Sequence, residues 1–258
     1  MGHKSRILIN KIKKMKKVLI ALLVITTLSA TAQESVLLRL NYTKGDSYLV
    51  SVDSKQSTGM QGGMNMKMTM GMIVTEVAAE NIKTESQITA VVMDMMQGGM
   101  TMSYDSNKKD EELDQMGQMM KSQFDPMMKA TIYTSQDRMG NMIETKVEPS
   151  IPGMEQLTTS SNTINYPKEK VTVGSSWTSE KNNQGMTMST TFSVSSIANG
   201  VVILDVSGKV SGAGTGSIKG KTTVDISSGV PTSATLEVTI SAQGMDITAT
   251  TNTTTTKI

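Results

Sequence analysis

Along most of this chain apolar and polar residues alternate singly. Near its C-terminal end, SATLEVTISAQ places Ala234, Leu236, Val238, Ile240 and Ala242 on one face and Thr235, Glu237, Thr239, Ser241 and Gln243 on the other. A period of two with one wet face marks an antiparallel strand. SIKGKTTVDI keeps the same phase through Ile218, Val224 and Ile226, and Ser228-Gly229-Val230-Pro231 supplies the turn between the two. Upstream, TMSTTFSV aligns Met188, Thr190, Phe192 and Val194, and Ala198-Asn199-Gly200 turns into VVILDV. Met245, Ile247 and Ala249 open the last strand, which is expected to end as a threonine-rich edge. In the N-terminal half VLLRLNY, DSYLVSVDSK, the methionine tract GMQGGMNMKMTMGM, NIKTESQITAVVMDMM and GMTMSY read as successive strands with glycine- or asparagine-containing turns. Short strands at regular spacing, without long helices between them, predict an all-β sheet, sandwich or barrel.

One stretch follows a different period. Leu113, Met116, Met119, Met120 and Phe124 recur at helical spacing between Asp110 and Phe124, behind an acidic start of Asp110, Glu111 and Glu112 that suits a helix N-terminus. Asp125-Pro126 is expected to end that helix, and a second short helix is expected over residues 154–159.

Methionine serves both periods. In residues 59–72 it stands at 60, 64, 66, 68, 70 and 72, against Gln61, Gly63, Asn65, Lys67, Thr69 and Gly71. The helical stretch spaces its methionines by three and four instead. A residue type that follows whichever period its local structure needs is acting as the apolar residue of the core. Fixing a methionine costs about 1.5–2 kcal/mol of side-chain freedom against about 0.5–1 for leucine. Many methionines should therefore be exposed, or mobile around a loosely filled space, and mobile thioethers make adaptable linings for apolar ligands. The candidate lining is Met64, Met66, Met68, Met70, Met93, Met95, Met100, Met102, Met186 and Met188. The alternative is a copper(I) site on Met64, Met66, Met68 and Met70, because thioethers are soft ligands. Same-face neighbours on a strand stand roughly 6.6–7 Å apart, so sharing one ion would need the side chains to converge. Sacrificial oxidation of exposed methionines is a third use.

The N-terminus bears on compartment. Lys11, Lys13, Lys14, Lys16 and Lys17 precede the apolar run VLIALLVITTLS, and Ala30-Thr31-Ala32 supplies an A-x-A pattern, so residues 1–32 are expected to be a signal peptide and 33–258 a single exported β domain. The 12-residue apolar run is short of the roughly 20 a bilayer span needs. No transmembrane span is therefore expected after cleavage, and the protein is expected in the periplasm, at the cell envelope or secreted. MKKVLI at Met15 resembles a complete signal start. Seven of the 25 basic residues and none of the 23 acidic ones lie in 1–32, leaving 18 against 23 in the mature chain, a net charge of −5. Nucleic acid is then not an expected partner.

Processing also removes His3, the single histidine, and the chain has no cysteine. A domain without either cannot build a Ser-His-Asp or Cys-His nucleophile, or the usual zinc sites. No catalysis and no cofactor are expected. Asp105, Asp110, Glu111, Glu112 and Asp114 read as a solvated helix start before a cation site. GAGTGSIKG lacks the Lys-Ser/Thr ending of a phosphate loop and reads as a hairpin turn. Trp177, the single tryptophan, is expected to anchor the bend before it onto the sheet.

YPKEKVTVGSSW (Tyr166 to Trp177), GMNMKMTMGM, VVMDMM, TMSYDS at 101–106 and DISSGVP at 225–231 occur together in one order. In this the chain resembles a domain-of-unknown-function family of exported, methionine-rich bacterial β proteins, which carries no established activity. At the level of fold it is also similar to the half-open barrels that carry lipoproteins between bacterial membranes. The resemblance implies a mainly β fold: a curved antiparallel sheet or half-open barrel, with one or two short helices on the concave side. The expected role is non-enzymatic binding of an apolar or lipid-like ligand, or a partner, on a methionine-lined surface.

Overall fold

The computed structural model describes residues 34–258 apart from 60, 61, 153, 155–163, 184 and 243. The chain divides into two compact units, Met1–Glu34 and Ser35–Ile258, and the sheet belongs to the second. The expected signal segment lies outside the described residues, as does all of the expected helix at 154–159 but Met154.

Strands β1 (Ser47–Ser57), β2 (Gly62–Val77), β3 (Ile82–Gln97) and β4 (Met100–Asp105) come first. A 3-10 turn at Asp110–Glu112 and helix α1 (Gln115–Lys129) follow. Then come β5 (Thr131–Gln136), β6 (Met142–Glu148), β7 (Ser176–Asn183), β8 (Met186–Ala198), β9 (Val201–Gly212), β10 (Thr215–Asp225), β11 (Pro231–Ala242) and β12 (Met245–Lys257). All belong to one 12-stranded antiparallel sheet in the order β6-β5-β3-β2-β1-β12-β11-β10-β9-β8-β7. β4 and β5 share one edge of β3, opposite Val92–Gln97 and Ile82–Ser86, and α1 joins them. The sheet is open, ending at β6 and β7.

Register fixes which residues face inward. Met64, Met66, Met68 and Met70 of β2 stand opposite Gln56, Ser54, Val52 and Val50 of β1. They also face Met95, Met93, Val91 and Ile88 of β3. A bulge at this last step skips Thr89, so β3 turns Ile82, Thr84, Ser86 and Ile88 inward before it and Val91, Met93 and Met95 after it. Residues from β1 to β3 and from β5 to β12 line one common cavity. A flat sheet of this width would span about 50 Å at 4.7–4.9 Å per strand, so the strands curl round. Gly216 and Gly220 permit the curl on β10: an added Cβ would run into the carbonyl oxygens of Thr239 and Thr235 on β11.

The hairpins β1–β2, β3–β4, β7–β8, β9–β10 and β11–β12 turn at one end of the sheet. The other end is strapped. VLLRLNY, expected as a strand, makes only an isolated bridge, Val36 to Val171. Its amides go to turn carbonyls instead: Leu40 N–H to Arg138 (2.8 Å) and Asn41 N–H to Ser228 (2.7 Å). Arg39 ties this strap to the bend through the carbonyls of Pro167 and Lys168, at 2.7 and 2.8 Å. Leu38 and Leu40 are buried while Leu37 is exposed, so the alternation that looked like a strand serves a plug. Tyr166 Oη donates to the Gly229 carbonyl at 2.7 Å and locks the bend onto the β10–β11 turn.

Two apolar clusters result. One gathers the strap, the bend and β8–β10 around Leu38, Tyr166, Val202, Leu204 and Val224. The other packs α1 on the inner face of β3, β4 and β5, through Leu113, Met120, Met93, Tyr104 and Ile132. Phe124 of α1 stacks on Tyr104 with ring centres 5.3 Å apart.

The helix itself differs from expectation. Residues 110–112 form the 3-10 turn, Asp114 Oδ1 accepts the Gly117 N–H at 2.7 Å as N-cap, and the helix runs through Pro126 to Lys129. Met127 and Met128 pack against the second cluster, and that burial outweighs the hydrogen bond a proline removes near a helix end. Trp177 lies on β7 directly after the bend, stacked on Phe192 with ring centres 5.6 Å apart and packed against the cluster that holds Tyr166 and Val171. The threonine-rich strand β12 is central, between β1 and β11, because the first and last strands of the domain pair along their length.

Candidate functional site

The curled sheet encloses a partly open cavity of about 520 Å3. Its wall is not uniform. On one flank stand Met68, Met70 and Met72 of β2 with Ile88 and Ile132; on the other, Met188, Phe192, Val206 and Ile218. Between them the central strands β12 and β11 contribute Thr251, Thr253, Thr255 and Ser233 beside Ala234, Leu236 and Val238. Leu40, Tyr42, Ile164 and Tyr166 line it from the strap and bend. Threonine suits this wall because its methyl keeps contact with apolar matter while its hydroxyl stays available for a hydrogen bond.

The sequence-derived lining residues divide into groups. Met68, Met70 and Met188 line the cavity. Met93 is buried, and Met64, Met66 and Met102 are half-buried against the α1 cluster. Met186 packs against the strap-side core, and Met95 is half-buried opposite Met64 and Met102. Met100 is 72% exposed at the β3–β4 hairpin and belongs to no wall. The along-strand copper set Met64, Met66, Met68 and Met70 packs as a row against the α1 cluster, and Met68 and Met70 also line the cavity. Register instead aligns Met64, Met95 and Met102 across three adjacent strands.

The acidic run does not gather around one point. Asp105 accepts the Asn107 N–H (2.9 Å), Glu112 accepts the Lys109 N–H (2.8 Å), Asp114 caps α1 and Asp110 lies 3.4 Å from Lys121. Among the described residues no group of three or more His, Cys, Asp or Glu side chains is placed to hold a metal.

Electrostatics single out two places. At the strapped end, burial pushes the Tyr42 and Tyr166 hydroxyls far above the ordinary tyrosine range. Tyr48 is pushed up to about 12 by burial and then by the Asp46 charge. Tyr42 and Tyr166 line the cavity there, and the Tyr166 hydroxyl is spent on the Gly229 carbonyl. Toward the hairpin end Lys181, opposite Met188 on β7, is the single charged residue among the described residues that line the cavity. Burial against the wall holds its pKa below the ordinary lysine value.

Sequence patterns did not reveal β5 and β6, the strap and bend as wall, the threonine wall, or Lys181. The alternation of Ile132, Thr134 and Gln136 was a usable sign of β5. Nothing local marks Lys181, whose place depends on the pairing of β7 with β8.

Residues 122–257 match the family of unknown function DUF6263. The chain belongs to that family. Among solved structures, one of lipid–protein interactions in lipovitellin aligns over 84% of this chain and 25% of its own, with a TM-score of 0.56 and 8% identity. The chain thus spans about a quarter of the length of that protein, and the likeness is one of fold: a large curved β-sheet. No curated protein matches the sequence. Among the described residues no helix is long and apolar enough to cross a membrane.

Proposed function

We propose that this member of the family is an exported, non-enzymatic binding protein that holds an apolar or lipid-like ligand inside its curled sheet. The observation that carries the reading is the cavity of about 520 Å3 walled by methionine, aliphatic and threonine side chains, a size within the roughly 300–1,000 Å3 of small-ligand sites. The lipid–protein interactions described for lipovitellin lend support at the level of fold. The basic and apolar N-terminal pattern supports export, and a mature chain without histidine or cysteine supports binding over catalysis.

Native mass spectrometry of protein purified from the cell envelope tests it, with a co-purifying lipid as the expected result. Trp177 gives a second readout, since it stacks on Phe192 of the cavity wall. Protein that carries no lipid, and whose fluorescence responds to neither a long-chain alcohol nor a fatty acid, would sink the reading.

The cross-strand row Met64–Met95–Met102 favours a second reading, copper(I) binding, because neighbouring strands lie about 5 Å apart and three soft donors stand abreast. Titration with Cu(I) against a competing chelator separates the two. Replacing Met64, Met95 and Met102 by leucine should abolish copper binding yet keep apolar ligand binding, since such volume-conserving swaps each cost less than about 1.5 kcal/mol.

A further inference from the structure

One flank of the cavity carries a polar patch that the fold itself does not use. Thr84 and Ser86 of β3 and Gln136 of β5 line the cavity, at 3, 9 and 8% exposure. Thr134 of β5, directly opposite Thr84, lines it beside them. Among the described residues the side chains of these four make no hydrogen bond. Elsewhere on the sheet facing hydroxyls do pair, as Ser217 does with Thr239 at 2.9 Å. A buried hydroxyl or amide that bonds to nothing costs free energy, and buried polar groups in folded proteins are nearly always bonded. Four such groups around one patch call for a partner from outside the chain. Water is the alternative partner, and the experiment below separates the two.

The position of the patch gives it a direction. Gln136 stands at the strapped end, beside the β5–β6 turn whose Arg138 carbonyl accepts the Leu40 N–H. Toward the hairpin end the same flank turns apolar: Ile132 faces Ser86, and Ile88 pairs with Met70. A polar group and an apolar chain are thus both accommodated on one wall. The patch is also uncharged. Its hydroxyls and its amide each donate and accept, and so suit a head that does both. A carboxylate only accepts, and burying its charge against neutral groups costs far more than burying a hydroxyl.

We infer that the ligand is an acyl-chain amphiphile with an uncharged, hydroxyl-bearing head, the head held by Gln136, Thr84, Thr134 and Ser86 and the chain running along Ile88, Met70 and Met68 toward the hairpin end. This rests on the apolar-ligand reading above and narrows it to a chemical class.

The experiment compares monopalmitoylglycerol, palmitate and chlorohexadecane, equal in chain length and different in head, by Trp177 fluorescence on the full-length protein and on the Gln136→Met and Thr134→Val variants. Wild type should bind monopalmitoylglycerol roughly 5- to 100-fold more tightly than chlorohexadecane, as two neutral hydrogen bonds would give, and more tightly than palmitate. Both variants should lose much of that preference while keeping their affinity for chlorohexadecane, which also shows that they have folded. Without ligand, neither variant should unfold at a lower temperature than wild type, because the groups removed bond to nothing in the empty protein.

Equal affinity of wild type for monopalmitoylglycerol and chlorohexadecane would overturn the inference, leave the patch to water and keep the apolar-ligand reading. A preference for palmitate would overturn the uncharged head. Variants that keep the wild-type preference would overturn the assignment to this patch, as would a lowered melting temperature in both empty variants, which would show these groups bonded within the fold. Binding of none of the three compounds would overturn both readings.

Discussion

Tyr166→Phe tests whether the strap and bend are held by a few buried hydrogen bonds. Tyr166 is 4% exposed, and its hydroxyl donates to the Gly229 carbonyl at 2.7 Å. Removing the hydroxyl leaves that carbonyl without the donor. The cost comprises a net bond of about 0.5–1.5 kcal/mol and, where the acceptor stays dry, a desolvation penalty of about 1–3 kcal/mol. An overall loss of about 1–3 kcal/mol is expected, at roughly 2–4 °C in Tm per kcal/mol for a domain of this size. Tyr48→Phe is the matched control. Tyr48 is 3% exposed, but its hydroxyl lies 3.4 Å from Asp46 Oδ2, a poor hydrogen bond. Asp46 also keeps Lys257 at 2.7 Å and the Thr43 N–H at 3.0 Å. That variant should lose under about 1 kcal/mol, because its acceptor is not stranded. Urea unfolding followed by Trp177 fluorescence, with the m-value unchanged, is the assay. Equal losses in the two variants, or a Tyr166→Phe loss below about 0.5 kcal/mol, would refute the reasoning: burial alone would then decide, and the strap would not depend on this bond.

Further outcomes follow from particular contacts. Gly220→Ala drives a methyl into the Thr235 carbonyl and should cost about 1–3 kcal/mol or more. Gly71→Ala, whose Cβ meets nothing nearer than 3.9 Å, should stay within about 0.5 kcal/mol, and thermal melts of both compare the two. Pro126→Ala restores an amide inside α1 and should raise the Tm, by on the order of 1 kcal/mol of stability; a lower Tm would show that the proline is required for packing. The Asp225 carboxylate is held below the usual aspartate range by the Ser227 and Ser228 hydroxyls and the Ser228 N–H, at 2.6, 2.7 and 2.8 Å. Its stabilising effect should be full above about pH 3.9 and fade as pH falls through its lowered folded value. Acid unfolding of Asp225→Asn should lack that component, and identical acid curves for the two proteins would contradict it.

Alternation along single strands was legible because each strand sets it locally. The faces of β2, β8, β10 and β11 follow directly from the period-two placement of Met64 to Met70, Met188 to Val194, Ile218 to Val224 and Ala234 to Ala242. The helical spacing of Leu113, Met116, Met119, Met120 and Phe124 likewise located α1, although Leu113 precedes the helix, Met116 and Met119 are exposed, and its end lay further on, since the burial of Met127 and Met128 lies with a partner surface outside the helix. The strap misled for the same reason. Leu38 and Leu40 alternate like a strand, but only the fold decides whether their amides meet a ladder or the carbonyls of turns.

The sequence by itself determined a β-rich chain in which methionine fills many of the alternating apolar positions, a helix, and a composition with one histidine and no cysteine. These are properties of composition and of neighbours within a few residues. Tertiary structure decided that β12 pairs with β1, which turns the threonine-rich end from an edge into the middle of the wall. It also decided which methionines line the cavity and which are exposed, and it brought Lys181 to an apolar surface. Those outcomes depend on contacts between residues up to about two hundred positions apart, set by pairing register and by the curl that inward-facing glycines allow.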